Sequence, residues 1–147
     1  MKELVVKSSA FEKNKLIPSK YTCDGENINP PLTVEGVPEK AKSLALIIED
    51  PDAPAGLFIH WLIWNLPVAG TIEEHSAPGT EGLNSSKKRG YSGPCPPSGT
   101  HRYFFKVYAL DTKLNVATLS EKEDVETAMQ GHILAQGELM GLYRKSK

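Results

Sequence analysis

Three apolar runs frame this chain, and each is closed by residues that stop a helix. The first, Ser43-Leu44-Ala45-Leu46-Ile47-Ile48-Glu49, runs into Asp50-Pro51-Asp52-Ala53-Pro54. There two prolines lack backbone donors and push the residues before them towards extended conformations. The second, 58–66, ends at Pro67 and Gly70; the third, 101–110, is dense in aromatic residues and lies between Gly99 and Asp111. Runs of this length and composition, bounded in this way, read as strands. Strict alternation places Phe58, His60, Leu62 and Trp64 on one face of the second, and His101, Tyr103, Phe105 and Val107 on one face of the third. A further strand is expected over 4–8, and 17–32 is rich in turn residues.

Helix enters only late. Ser120 and Glu123 have capping-box spacing, and Val125, Ala128 and Met129 share a helical face, so a helix is expected over 121–129. Another turn or two of helix is expected over 132–136, and a closing strand over 138–143. Strands followed by a short C-terminal helical part predict a mostly β fold, an antiparallel β-sandwich formed by one domain over 1–147. Between 70 and 99 lie some thirty residues of little periodicity, punctuated by Gly79, Gly82, Gly90 and Gly93 and by Pro78, Pro94, Pro96 and Pro97. A structureless stretch of that length in a compact domain points to a functional loop or to disorder.

Seventeen basic residues against 18 acidic ones leave a net charge of −1, without the basic excess a nucleic-acid binder carries. The N-terminus has no 7–15-residue apolar stretch of a signal peptide, and 57–66 is too short to cross a bilayer. A cytoplasmic protein is therefore expected, and Asn84-Ser85-Ser86, a glycosylation sequon by sequence, reads as a polar loop. In that compartment Cys23 and Cys95 are expected as free thiols rather than a bridge. No Cys-x-x-Cys, phosphate-binding loop, dinucleotide glycine pattern or nucleophile elbow occurs, so no metal or cofactor is expected.

What remains is a set of polar residues at strand ends. Asp50 and Asp52 leave a buried strand on a loop fixed by Pro51 and Pro54. His60 and His101 each follow a Gly- or Pro-containing loop, and Tyr103 shares a face with His101. Each has an ordinary structural reading; together they describe a pocket whose imidazole, phenol and backbone donors suit phosphate or carboxylate oxygens, with an Asp fixing an imidazole tautomer. Lys87-Lys88-Arg89 reads as a solvated cluster, with steering of an anion as its other use.

Tyr21-Thr22-Cys23-Asp24-Gly25, Pro30-Pro31-Leu32, Asp50-Pro51-Asp52-Ala53-Pro54, His60-Trp61 and the segment from Gly93-Pro94-Cys95 through His101-Arg102-Tyr103 closely resemble the phosphatidylethanolamine-binding protein family, in its prokaryotic Raf kinase inhibitor-like branch. The resemblance implies a Greek-key β-sandwich of two antiparallel sheets with a small anion-binding cavity near one end. Its ligand-binding positions fall on Asp50, Asp52, Pro54, His60, Gly93, Pro94, Pro96, Pro97, His101 and Tyr103, and it brings His60 and Asp50 to meet His101 and Tyr103. The chain is shorter than animal members, so kinase inhibition is not carried over; prokaryotic relatives suggest a homodimer. Three functions compete: a non-enzymatic binder of a small anion or phosphorylated ligand, an inhibitor acting by contact with a serine protease or kinase through 70–100, and a hydrolase using Asp and His, for which no nucleophile is identifiable.

Overall fold

Leu44, Leu46 and Ile48 of the first apolar run face one hydrophobic cluster while Ala45 and Ile47 face another, which is why that run is buried along its whole length. The structure, a computed structural model, describes residues 2–145. In chain order the strands are β1 (Lys2–Glu3), β2 (Val5–Lys7), β3 (Leu32–Glu35), β4 (Ser43–Asp50), β5 (Phe58–Leu66), β6 (Thr71–Ile72), β7 (Thr80–Glu81), β8 (Thr100–Leu110) and β9 (Ile133–Arg144). A 3-10 turn, Ser19–Tyr21, lies between β2 and β3, and helix α1 (Lys122–Met129) lies between β8 and β9.

Six strands form one sheet in the order β1-β9-β8-β4-β5-β7, and three form a second, β2-β3-β6. Pairing is antiparallel except for the two-residue contact of β1 with β9. After the β4–β5 hairpin the chain passes back across the sheet and lays β8 on the far side of β4, so β4 is central and both its neighbours carry site residues. One cluster, with Leu32, Val34 and Ile72 from the small sheet and Ile48, Trp61, Ile63, Phe105 and Val107 from the large one, fills the space between the sheets. The other packs Val125 and Met129 of α1 against Ile47, Leu62 and Trp64 on the opposite face. This is the mostly β fold of two sheets and one short helix that the sequence predicts.

Two local expectations are corrected. The capping box sits one residue later than Ser120 and Glu123: Glu121 and Asp124 bond each other's backbone N–H groups at the start of α1. The stretch 132–136 carries no helix, because β9 begins at Ile133 and pairs along β8, with one register shift where Ala109 faces Ala135 and Leu110 faces Ile133. The close approach at Gly137, where a Cβ would lie 2.1 Å from the Leu4 carbonyl oxygen, seats the N-terminal segment against that strand.

Alternation in β5 is also broken, twice. Ile48 pairs with Trp61 but its neighbour Glu49 pairs with Ile59, so His60 is the extra residue of a β-bulge. Nearer the strand end, Leu44 and Leu46 pair with Leu66 and Ile63, a second irregularity, at which Asn65 adopts φ 57°. There Asn65 donates to the Leu114 carbonyl at 2.9 Å and accepts from its N–H at 2.7 Å. The first bulge turns His60 and Trp61 to the face carrying Tyr103, while Ile59, Leu62 and Trp64 point to the helix side.

Candidate functional site

Side chains from β4, β5 and β8 converge on a cavity of about 240 Å3 at one end of the large sheet. Asp50 closes β4, and its Oδ2 accepts a hydrogen bond from His101 Nδ1 at 2.7 Å; both side chains are buried. Its Oδ1 accepts from the Asp52 N–H at 2.7 Å, so the turn that Pro51 initiates holds the carboxylate in a single orientation. His60, on the bulge, donates from Nδ1 to the Ser92 carbonyl at 2.6 Å, and the Ser92 N–H returns a bond to the His60 carbonyl. A carbonyl can only accept, which fixes the proton on Nδ1 and leaves Nε2 as the nitrogen His60 can offer a ligand. The same reasoning at His101, whose Nδ1 faces a carboxylate, leaves Nε2 there too.

Tyr103 lies between the two rings, edge-on to His60 at 5.2 Å and stacked near His101 at 6.4 Å. Its hydroxyl is wholly buried and has no hydrogen-bond partner among the described residues. Burial, then the nearby charge of Asp50, push the phenol well above its ordinary value, so it is a donor at physiological pH. Burial likewise lowers the His60 imidazole; the Ser92 carbonyl and Asp50 pull the other way, and His101 adds to the lowering.

The remaining wall comes from loops. Pro54 and Ala53 follow β4, Phe58 at the start of β5 packs on the His60 ring at 4.7 Å, and Ser86, Ser92, Gly93, Cys95, Pro96 and Pro97 close the far side. Of the residues expected from sequence, Asp50, Pro54, His60, Gly93, Pro96, Pro97, His101 and Tyr103 all line the cavity. Asp52 and Pro94 do not. Asp52 instead holds Arg102, through Nε at 3.0 Å and Nη2 at 2.9 Å, and accepts the Arg102 N–H at 2.9 Å. That pairing, chiefly the Arg102 side-chain bond, lowers the Asp52 carboxyl to about 2. Its role is to brace the loop after β4 against β8.

Sequence reasoning missed Ala53, Phe58, Ser86, Ser92 and Cys95 as lining residues. The aromatic run at 58–66 offered the signal for Phe58, whereas Ser92 acts through its backbone and left none. The basic cluster is exposed, as expected, and none of Lys87, Lys88 and Arg89 lines the cavity: Lys87 binds Glu121 at 2.8 Å, and Arg89 lies 3.9 Å from Glu81. Asn84 is buried, bonding the Gly90 carbonyl and the Ser86 N–H, so its sequon is spent on holding that loop.

The free-thiol expectation is overturned: Cys23 and Cys95, 72 positions apart, form a disulfide. The chain folds the turn after the 3-10 segment against the loop before β8, and Cys23 N–H also bonds the Pro94 carbonyl at 3.1 Å. Gly93 is needed at the same contact, because a Cβ there would lie 2.3 Å from the Tyr21 carbonyl oxygen and 2.4 Å from Asn27 Oδ1. Gly93→Ala must displace this wall, and it is expected to lower stability by about 1–3 kcal/mol, the usual cost of overpacking. Thermal unfolding beside the parent measures it; an unchanged midpoint would show the loop free to give way.

No helix among the described residues is long and apolar enough to cross a membrane, and no group of three or more His, Cys, Asp or Glu among them could hold a metal ion.

Against known proteins, the family model for Phosphatidylethanolamine-binding protein matches residues 7–144. A UPF0098 protein of Methanothermobacter thermautotrophicus is 52% identical over 95% of this chain and 98% of its own length. One from Pyrococcus abyssi is 47% identical over 97% of this chain and 86% of its own. The crystal structure of a Phosphatidylethanolamine-Binding Protein homolog from Chlamydia trachomatis superposes with a TM-score of 0.95 at 43% identity, covering 99% of this chain and 100% of that one. Escherichia coli YbcL, described as a member of the mammalian family, superposes at 0.88 with 29% identity over 98% and 99%. With the family match spanning 7–144 and relatives of this identity aligned along nearly their whole length, the chain belongs to the phosphatidylethanolamine-binding protein family.

Proposed function

We propose that the cavity binds a single phosphate-type oxyanion, free or as the head of a phosphate ester, and that the protein works by binding rather than by turnover. The observation that carries this is the buried Tyr103 hydroxyl, which has no partner among the described residues and sits between two imidazoles whose Nδ1 atoms are already engaged. An oxyanion would satisfy that hydroxyl and take further bonds from the Nε2 atoms once they are protonated. A volume of about 240 Å3 suits a small polar group better than a drug-sized ligand or an acyl chain. Turnover is disfavoured because, among the described residues, no serine hydroxyl bonds to either imidazole, the contact an activated nucleophile needs. The family name directs the first probes to phosphate and O-phosphorylethanolamine.

Isothermal titration of each probe into the wild type and His101→Ala tests the reading. Saturable binding weakened at least tenfold by the substitution is expected, since a charge-assisted hydrogen bond contributes about 1.5–3 kcal/mol. A preference for the ester over inorganic phosphate would identify a headgroup-type ligand. Equal binding by both proteins would overturn the assignment, and no binding by either would move the reading to protein contact through 70–99.

A further inference from the structure

We propose that the Cys23–Cys95 bridge is a thiol-exchange site that controls the cavity, its reduction by a small dithiol releasing the wall formed by 94–99. The inference rests on the anion-binding reading for its functional consequence, but its structural half stands independently. Cys95 lines the cavity and both cysteines are exposed, so a reductant can reach the bridge. Exposed disulfides are the labile ones.

The composition of the wall explains why one covalent bond matters there. Pro94, Pro96 and Pro97 have no backbone N–H to donate. Among the described residues no hydrogen bond is made by 95–99; beyond the bridge, only the buried ring of Pro96 and the Pro94 carbonyl hold the segment before β8 begins. The other sulfur sits in a turn secured independently. Thr22 Oγ1 donates to the Ser19 carbonyl at 2.9 Å and accepts from the Asp24 N–H at 3.1 Å, and the Tyr143 hydroxyl bonds Asp24 at 2.5 Å. Cys23 is thus the fixed post and Cys95 the tethered end. The floor of the cavity, Asp50, His60, His101 and Tyr103, belongs to the large sheet and does not depend on the bridge.

The exchange balances simply. A dithiol thiolate attacks one bridge sulfur and the other leaves as a thiolate; the second thiol then resolves the mixed disulfide, giving a cyclic disulfide and two protein thiols. Two electrons and two protons pass to the protein. Because bridge and ligand share one wall, the coupling must run both ways: if the closed wall favours the anion, the bound anion protects the bridge.

The test uses the full chain, oxidised, against the Cys23→Ser/Cys95→Ser double variant. Backbone 15N order parameters at 98 and 99 are expected to drop from rigid values of about 0.85 to below about 0.6 in the variant, with β circular dichroism retained, and phosphate affinity is expected to be at least tenfold weaker. In the oxidised protein, saturating phosphate should slow reduction by dithiothreitol several-fold, a readout that needs no folded reduced form. Equal order parameters overturn the proposal, as do lowered order parameters with unchanged affinity. Loss of β structure in the variant also overturns it, since the bridge is then a staple for the whole fold. If neither form binds phosphate, the anion reading fails, and the order-parameter comparison alone decides whether the wall is released.

Discussion

Asp50→Ala is expected to lower the unfolding midpoint by about 5–15 °C, given a loss of about 2–4 kcal/mol and the few degrees per kcal/mol typical of a domain this size. The carboxylate is buried and serves two donors at once, His101 Nδ1 through Oδ2 and the Asp52 N–H through Oδ1, each at 2.7 Å. Alanine strands both, and a buried donor without a partner costs far more than an ordinary hydrogen bond contributes. Asp50→Asn separates packing from charge. Its amide oxygen can keep the Asp52 N–H, and its NH2 can donate to His101 only if that ring moves its proton from Nδ1 to Nε2. The asparagine variant is therefore expected to unfold within a few degrees of the parent while presenting a neutral Nε2–H donor to the cavity. Calorimetry of the three proteins decides: an alanine midpoint within 2 °C of the parent would show that the pair contributes nothing to stability.

How much of this site could be read from sequence depended on how regular each strand is. β8 keeps strict alternation from His101 through Val107, so the imidazole and phenol were placed together by period alone. β5 does not. The bulge at His60 has no sequence signature, since histidine carries no preference for it, and strict alternation set His60 with Leu62 and Trp64, which pack on the opposite face. Asn65 is different, because asparagine tolerates a positive φ, and its place near the strand end was a usable signal. Asp50 and Asp52 look equivalent in a loop spaced by proline, yet one accepts from a buried histidine and the other from an exposed arginine. That division follows from which residue faces each across the sheet, and register is a long-range property. The His60–Asp50 convergence came from family resemblance and not from spacing.

The missed bridge and the misread 132–136 segment share a cause. Whether Cys23 meets Cys95 is set by how the turn after the 3-10 segment docks on the loop before β8, while the expectation came from compartment alone. On the chain-entropy account, a closed loop of this length adds about 4 kcal/mol. At 133–136 local preference is weak, and the ladder offered by β8 settles the conformation.

Anion binding is expected to tighten as pH falls, even as the unliganded protein loses stability. Burial holds the His60 pKa below its ordinary value, so above about pH 6.5 the ring is neutral in both folded and unfolded chains and its contribution is fully present. Below that value the unfolded chain takes the proton first, and the contribution is lost as pH falls through the lowered folded pKa. A bound oxyanion reverses the preference, because negative charge beside Nε2 favours imidazolium. Binding then takes up a proton, and affinity rises by up to about tenfold for each unit by which pH falls, as long as it stays above the folded pKa. Sulfate is the suitable probe, since it does not titrate in this range whereas phosphate does. The midpoint without sulfate should fall between pH 8 and 5.5 while the increment from saturating sulfate grows. An increment that does not vary with pH in the parent would mean that Tyr103 and backbone N–H groups hold the anion without the His60 imidazole gaining charge, and would remove the proton from the binding reaction.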